Sequence, residues 1–355
     1  MKKMNIITPS KSIRLEYIDV CKAIGIILVV LTHTYDIPYN LYISVFSFHM
    51  PFFFILSGFV YNKEKNDKLR LGTFIYKKFR QYMIPYFIFG FSHLIIIILW
   101  FFLSNQVVDF SFVFESIKGI LLCTDGMPQS CSPLWFLMCL FISSLLFYLI
   151  MKINIQYQCI IMFCIVLSHF TMVTWFRNYL PFVYTFPTFL IALFFLWIGY
   201  RFRCLFERYS TCFHGKLLMS VSMCIIMINI TIVLLTNNKI NMRSDTYGFY
   251  FVFIVTSIMI SLGLICLISN LTILSNRFFK WLGQNTIYVF GFNYLCLNFA
   301  TEIYYYIPVV KNYPIHWLVS FLTTFSLCLL CIFLCNAIKK LWRLLKCFCA
   351  LLPLF

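Results

Sequence analysis

The chain has 355 residues, of which 62% are hydrophobic and only 11% are charged, and its formal net charge is +17. A soluble globular chain carries about 45–50% apolar and about 25% charged residues, so this composition excludes an ordinary soluble fold. Apolar blocks of about 18–25 residues, the length that crosses the core of a bilayer, recur along nearly the whole chain. We therefore expect one polytopic membrane domain over residues 1–355.

In chain order, the apolar blocks predict about ten transmembrane helices. Their predicted bounds are 18–36, 43–62, 83–104, 134–152, 157–176, 180–200, 217–236, 248–269, 281–301 and 316–337. Helices are expected because each one satisfies its own backbone hydrogen bonds in lipid, and the alternating ten-residue segments of a β-barrel are absent from the sequence. The predicted fold class is all-α and integral to the membrane.

Basic residues are distributed unevenly between the predicted connections. One side of the ten spans receives 22 of the 28 Lys and Arg residues, the other side receives five, and Lys22 lies inside the first helix. The positive-inside rule makes the richer side cytoplasmic, with both termini on that side. The positive charge therefore reports topology, and a nucleic-acid partner is not expected.

Two predicted connections are long, and loops of such length are usually functional or disordered. The inner loop, 61–82, is strongly basic, and the outer loop, 104–133, is polar and rich in turn-forming residues. Cys123 and Cys131 both lie in the outer loop, where an oxidising compartment would permit a disulfide, and the sequence leaves open whether they pair. The cysteines and histidines show no metal-ligand spacing, so no metal is expected.

The first predicted helix carries Asp19, Lys22 and His33. A charged residue at the centre of a span costs on the order of 2.5–3.5 kcal/mol, so these side chains should face the bundle interior or a wet cavity. Lys22 and His33 are close to three helical turns apart, on one face and about 16 Å along the axis, and Asp19 can pair with Lys22. The alternative is that Lys22 reaches the inner surface beside Asp19, while His33 is a structural residue of the interface.

The second block, Phe48-His49-Met50-Pro51 and the apolar run to Phe59, places another histidine at the outer start of the next helix. Because the first two helices are antiparallel neighbours, His33 and His49 can approach each other. Histidines in a partly dry pocket stay neutral and can accept a proton, so the pair is a candidate general base with its helper. Ser57 and Gly58 are expected to allow close helix packing.

Four motifs of these segments occur in an order that is typical of a known family. They are Lys22-x10-His33, the block FHMPFFFILSGF, the cluster Lys77-Lys78-Phe79-Arg80 before Ile84-Pro85-Tyr86, and Leu134-Trp135-Phe136-Leu137. With them the chain resembles, over almost its whole length, the membrane acyltransferases of the acyltransferase-three family, particularly the fucose O-acetylase-like subgroup. The resemblance implies that His33 is required for acyl transfer and that Lys22 is its basic partner. It also places Lys77-x-x-Arg80 at the cytoplasmic motif associated with the acyl donor.

The chain departs from the family pattern in two places. The basic motif begins with Lys77 where the family has arginine, which keeps the charge but loses bidentate phosphate geometry. The segment Leu282–Ile287 resembles the family's G-x-N-[ST] motif, yet Asn293 stands where many relatives place a histidine. Any step that the family assigns to that second histidine is therefore in doubt here.

The predicted activity is transfer of an acetyl group from cytoplasmic acetyl-CoA to a sugar hydroxyl. Lys77, Lys78 and Arg80 are expected to hold the phosphates of acetyl-CoA, unless they are topological charge alone. His33 either deprotonates the attacking hydroxyl or is acetylated first. The expected acceptor is a bacterial surface polysaccharide (O-antigen, capsule or exopolysaccharide) or its lipid-linked precursor, at the outer face of the inner membrane.

The remaining polar residues give weaker signals. Candidate sugar contacts are Glu115, Asp125, Trp135 and Glu302, and His316 could line the acceptor cavity, whereas structural roles are expected for His93, His169 and His214. The alternative functions are a flippase or transporter of lipid-linked sugars and a polysaccharide polymerase. The first should show inverted repeats, and the second a large outer loop rich in arginine or histidine; neither feature is visible in the sequence.

Overall fold

The computed structural model describes residues 15–179, 183–209, 213, 215–236, 239–305 and 316–351. Within these ranges the chain is helical almost throughout and contains no β-strand. His214, which the sequence assigns a structural role, lies outside the described residues, as do the basic residues before Leu15.

The described chain forms fifteen α-helices. They are α1 Glu16–His33, α2 Tyr39–Phe46, α3 His49–Phe59, α4 Lys63–Asp67, α5 Leu71–Lys78, α6 Ile84–Leu103, α7 Phe110–Leu122, α8 Trp135–Ile150, α9 Ile155–Trp175, α10 Thr188–Arg208, α11 Lys216–Thr236, α12 Tyr250–Asn270, α13 Arg277–Gln284, α14 Thr286–Tyr305 and α15 His316–Leu351. A π-helical segment, Phe79–Met83, joins α5 to α6, and a 3₁₀ segment, Gln129–Leu134, leads into α8.

Eight helical stretches of the described chain are long and apolar enough to cross a membrane. They are Tyr39–Phe59, Leu71–Leu103, Gln129–Ile150, Ile155–Trp175, Thr188–Arg208, Lys216–Thr236, Tyr250–Asn270 and His316–Leu341. Two of the ten predicted spans, 18–36 and 281–301, are not among these eight. Polar side chains account for both, since α1 carries Glu16, Asp19 and Lys22, and α14 carries two asparagines and a glutamate. The structure thus has the architecture of a multi-pass helical membrane protein.

The two predicted long loops are largely helical, which corrects the sequence-based assignment. Residues 61–82 contain α4, α5 and most of the π-helical segment, and the helix that was predicted to begin at residue 83 begins at Leu71. Residues 104–133 contain α7, whose first turn is capped by the Asp109 carboxylate accepting from the Ser111 N–H at 2.9 Å. The sequence did not predict these short helices because their segments are rich in charged and turn-forming residues. The polar faces of these helices are exposed.

Two predicted spans are each broken into a pair of helices. The span 43–62 breaks between α2 and α3, where the Ser47 hydroxyl donates to the Ser44 carbonyl at 2.6 Å and competes with the helical pattern. Pro51 then falls in the first turn of α3, where its missing N–H is tolerated. The span 281–301 breaks at Asn285, whose side chain donates to the Trp281 carbonyl at 2.7 Å. The first break brings His49 to the start of a helix.

Helices α3 and α10 pack closely because a glycine on each faces the other backbone. A Cβ on Gly58 would lie 1.9 Å from the Leu196 carbonyl oxygen, and one on Gly199 would lie 2.0 Å from that of Ile55. Small residues permit such approach in membranes, where van der Waals packing holds helices together. The predicted packing role of Gly58 is confirmed, and α3 is thereby fixed in the bundle.

The connections meet at two opposite ends of the bundle. At the first, which we call the basic end, Lys63 donates to the Met151 carbonyl at 2.6 Å and Arg203 donates to the Phe59 carbonyl at 3.3 Å. At the other, which we call the histidine end, Arg243 pairs with Asp125, His316 pairs with Asp36, and the Tyr184 N–H donates to the Leu122 carbonyl at 2.8 Å. Connections that the charge pattern predicts on one side of the membrane therefore lie together at one end of the helix bundle.

Candidate functional site

The structure brings His33 and His49 together around one aromatic ring. His33 is the last residue of α1, and His49 is the first residue of α3. The ring of Phe46 lies 6.0 Å from the His33 ring and 4.7 Å from the His49 ring, centroid to centroid. His49 is almost completely buried, whereas His33 is partly accessible. The helix end and the helix start thus place two imidazoles against the same Phe46 ring.

Hydrogen bonding assigns the same tautomer to both imidazoles. The Nδ1 atom of His33 lies 2.7 Å from the Val29 carbonyl oxygen, and that of His49 lies 3.0 Å from the Val45 carbonyl oxygen. A carbonyl only accepts, so each Nδ1 carries the hydrogen, and in the neutral ring Nε2 then holds a lone pair. Each histidine is held as a proton acceptor at Nε2, the state that a general base requires.

Tyr294 of α14 completes the surroundings of His33. Its ring stands edge-on to the imidazole with a centroid distance of 5.1 Å. Tyr294 is separated from His33 by more than 260 residues, and it lies inside the predicted span 281–301. Sequence reasoning missed it because no spacing rule connects residues on distant helices.

At the other end of α1, Lys22 lies beside α13. Its Nζ atom is 3.9 Å from the Asp19 carboxylate, which confirms the predicted pairing. Gln284 donates to the same carboxylate at 3.4 Å. A Cβ on Gly283 would lie 1.9 Å from the Asp19 carbonyl oxygen, so only glycine permits this approach. The Gly283–Gln284 segment, which the family resemblance singled out, thus packs directly against the acidic start of α1.

The basic cluster lies on a different side of the bundle from the histidines. Lys78 stands over the Phe74 and Tyr82 rings at 5.7 and 5.1 Å, and Arg80 stands over the Tyr76 ring at 5.8 Å. Lys77 is the exposed last-turn residue beside them. Cation–π contacts of this kind hold cationic side chains in place.

The cluster is anchored to α8 through stacking of Phe74 on Tyr148 at 4.3 Å, whereas Lys22 belongs to α1, which packs on α3, α13 and α14. The structure therefore groups Lys77, Lys78 and Arg80 with one another and not with the two histidines. Arg80 also lies within the π-helical segment, and such segments are frequent at functional sites.

The candidate sugar contacts have different surroundings. Asp125 pairs with Arg243 at 3.2 Å and Glu115 pairs with Lys118 at 3.6 Å, while Trp135 is buried and Glu302 is exposed. His316 pairs with Asp36 at 2.9 Å, and Asp36 follows His33 by three residues in the chain. Of this set, Asp125 and Trp135 line one common cleft.

His169 lies in a buried polar cluster that the sequence did not reveal. Its Nδ1 atom is 2.8 Å from the Tyr250 hydroxyl, and its Nε2 atom is 3.5 Å from the Asp245 carboxylate. Asp245 also accepts from the Tyr247 hydroxyl at 2.7 Å and from Thr188 at 3.1 Å. Burial raises the pKa of Tyr247 well above its ordinary value, so this hydroxyl stays protonated and donates. The cluster fastens the connection between α11 and α12 onto α9 and α10.

The cysteines and possible metal ligands give two further results. The cysteines whose side chains the structure describes are free thiols, and Cys123 and Cys131 are among them. Burial raises the pKa of the Cys123 thiol to about 11, so it is protonated at neutral pH. No group of three His, Cys, Asp or Glu residues with metal-binding geometry occurs among the described residues.

These features define a multi-pass α-helical membrane protein with paired histidines at one end and a basic cluster at the other. The family model described as an acyltransferase domain, that of the acyltransferase-three family, matches residues 15–333. The chain belongs to this family and is a membrane acyltransferase. No curated protein and no solved structure matches it.

Proposed function

We propose that this protein is an O-acetyltransferase that moves an acetyl group from cytoplasmic acetyl-CoA to a sugar hydroxyl. Its acceptor is a bacterial surface polysaccharide (O-antigen, capsule or exopolysaccharide) or the lipid-linked precursor, and we assign it to the fucose O-acetylase-like subgroup of the family. In this proposal α1 and α14 also cross the inner membrane, which gives ten spans with both termini in the cytoplasm. The basic excess of the corresponding connections supports that orientation.

The observation that carries the proposal is the placement of His33 and His49 against one Phe46 ring. Both Nδ1 atoms are engaged by backbone carbonyls, which leaves Nε2 of each ring as the proton acceptor. An acyl transfer to a hydroxyl requires removal of one proton, and a positioned histidine supplies this. His33 is the more accessible of the two. We assign it as the base and His49 as its buried helper.

In the proposed reaction, Nε2 of His33 takes the proton of the acceptor hydroxyl as its oxygen attacks the thioester carbonyl. A carbon–oxygen bond forms, and the carbon–sulfur bond then breaks. The CoA sulfur leaves and receives the proton from His33, so the base is regenerated. Atoms and charge balance without a metal or a further co-reactant. This direct route is preferred over an acetyl-histidine because one accessible imidazole suffices for it.

The donor is proposed to enter from the basic end. Lys77, Lys78 and Arg80 supply positive charge for the CoA phosphates, and charge-assisted hydrogen bonds are the strong ones. The acetyl-bearing arm then runs along the face of α1 that holds Lys22. Along the helix axis Lys22 lies about 16 Å from His33, at a rise of 1.5 Å per residue. The acceptor approaches the histidine end. Donor and acceptor thus meet from opposite ends of the bundle.

The decisive experiment is His33→Ala in the producing cells, followed by mass analysis of the surface glycan. We expect each modified sugar to lose the mass of one acetyl group while chain length is unchanged, with the variant present in the membrane at the wild-type level. Shortened or missing chains would instead favour a flippase or polymerase. Full acetylation by the variant would refute the proposal.

A further inference from the structure

We propose that a narrow cleft at the histidine end, lined by Asp125, Thr185 and Arg243, binds a hydroxyl-bearing face of the acceptor sugar. This inference rests on the proposed function and names the acceptor subsite of the same enzyme. The cleft lies between the Cys123–Met127 turn, the residues before α10 and the connection between α11 and α12.

The connection between α11 and α12 is built as a rigid hairpin that presents Arg243. Asn241 and Thr246 pair through backbone hydrogen bonds of 2.7 and 3.0 Å. The Arg177 side chain contacts one side of this hairpin and donates to the Ser244 carbonyl at 2.9 Å. The buried Asp245 cluster fastens the other side. These contacts fix the backbone on both sides of Arg243, so its side chain is presented from a preorganised support.

Arg243 is a partly buried cation, and a ligand could replace its exposed partner, Asp125. Its side chain is 25% exposed, whereas Asp125, which it contacts at 3.2 Å, is 88% exposed. Exposed ion pairs contribute little stability, so a sugar hydroxyl can insert at small cost. The histidine end also holds the Tyr294 ring, which contacts His33. The cleft therefore lies at the same end of the bundle as the proposed base.

Thr185 places a hydroxyl with only a weak hydrogen-bond partner in the cleft. Its side chain lines the cleft, and its residue is 7% exposed. The hydroxyl has no hydrogen-bond partner among the described residues beyond the neighbouring Cys139 thiol, and a thiol is a weak partner. The cleft has a volume of about 20 Å³, enough for one water-sized group. One inserted hydroxyl would satisfy Thr185, with the sugar ring above it between Asp125 and Arg243.

The backbone around the cleft is unusually strained. Cys123, Tyr184, Thr185 and Asp245 adopt positive φ angles of 53°, 53°, 62° and 47°. Such conformations are costly for residues other than glycine and collect at functional sites. Here they hold the side chains of three separate connections in one place, which agrees with a site that is preformed for its ligand.

The donors and acceptors suit an uncharged sugar face better than a phosphate. A hydroxyl both donates and accepts, so it can accept from Arg243 and donate to Asp125 or Thr185. A phosphate would face the Asp125 carboxylate, and like charges repel. The subsite therefore fits sugar hydroxyls rather than the phosphate of a lipid carrier.

The test uses the purified full-length enzyme in lipid nanodiscs with acetyl-CoA and the glycan of the producing cells, freed of its acetyl groups by mild alkali. Thr185→Val keeps the side-chain shape and removes the hydroxyl, and Arg243→Gln removes the cation. Ser111→Ala and Lys118→Gln are matched controls, because both are exposed residues of α7 that lie outside the cleft. We expect both cleft variants to raise the KM for the glycan about tenfold or more, with the KM for acetyl-CoA unchanged.

The outcomes separate this inference from the proposed function. If both cleft variants keep the glycan KM of the controls, the cleft holds water only and the inference fails, while the function stands. If the wild-type enzyme does not acetylate this glycan, or His33→Ala acetylates it equally well, the proposed function itself fails. Should Arg243→Gln lower the melting temperature, the isosteric Thr185→Val variant decides alone.

Discussion

The Cα atom of Gly283 rests against the backbone carbonyl of Asp19, so a Cβ at this position would lie 1.9 Å from the carbonyl oxygen. This contact fixes α13 on α1 at the level of Lys22. It holds Gln284 within 3.4 Å of the Asp19 carboxylate, and that carboxylate pairs with Lys22. One glycine thus sets the position of the polar stripe that begins on α1.

Gly283→Ala is expected to separate α13 from α1, because the obstructing atom is backbone and cannot move aside. We expect a loss of about 1–3 kcal/mol, the usual cost of overpacking, seen as a lower melting temperature in detergent. Gly72→Ala is the matched control, since a Cβ on Gly72 of α5 meets nothing within 4 Å and alanine favours helix by about 0.5–1 kcal/mol. Equal melting temperatures for the two variants would contradict this account of the contact.

Replacing each histidine by asparagine separates its structural contact from its chemistry. Asparagine can still donate to the carbonyl four residues earlier, but it has no nitrogen lone pair in place of Nε2. We expect His33→Asn to fold normally and to lose about 10²–10⁴-fold in kcat, with a smaller loss for His49→Asn. Thermal stability and steady-state kinetics check this, and Ser104→Ala, an exposed change after α6, is the control. A His33→Asn enzyme with wild-type kcat would show that His33 is not the base.

The basic cluster should control affinity for the donor. Lys78→Gln and Arg80→Gln each remove a charge that is held in place by an aromatic ring. A hydrogen bond to a charged group contributes about 1.5–3 kcal/mol, so the KM for acetyl-CoA should rise about tenfold to a hundredfold, and less at high salt.

Lys65→Gln on the neighbouring α4 is the control for this cluster, because it removes the same charge from the same end. Kinetics at several acetyl-CoA concentrations distinguish the variants. If all three behave alike, the basic cluster serves topology and not donor binding.

Cys123 should resist alkylation in the folded protein. Its pKa is raised to about 11, so the reactive thiolate is scarce below that pH, and the residue is buried. We expect little labelling by iodoacetamide at pH 8 in the folded protein. After unfolding without a reductant, Cys123 and Cys131 should both be labelled, as mass spectrometry of peptides would show. A peptide pair linked through these two cysteines would contradict the free thiols.

The amount of this structure that the sequence could predict depended on the distance over which each signal acts. The Asp19–Lys22 pair and the approach of His33 to His49 followed from helical spacing and from adjacent helices, and the structure has both. The helices within 61–82 and 104–133 were missed because short amphipathic helices give a weaker signal than apolar spans. The sequence predicted a structural role for His169 but not its polar cluster, because its partner Asp245 lies 76 residues later, in a connection with no recognisable motif.

The sequence by itself determined that this protein belongs in a membrane, that it is helical, and that one costly polar stripe runs along its first helix. These properties follow from composition and from regular spacing, which act locally along the chain. Only the tertiary structure decided that Tyr294 contacts His33, that the basic cluster is packed on α8, and that Arg243 pairs with Asp125 at the histidine end. Those contacts join helices that are distant in sequence, and packing of whole helices against one another is what places them.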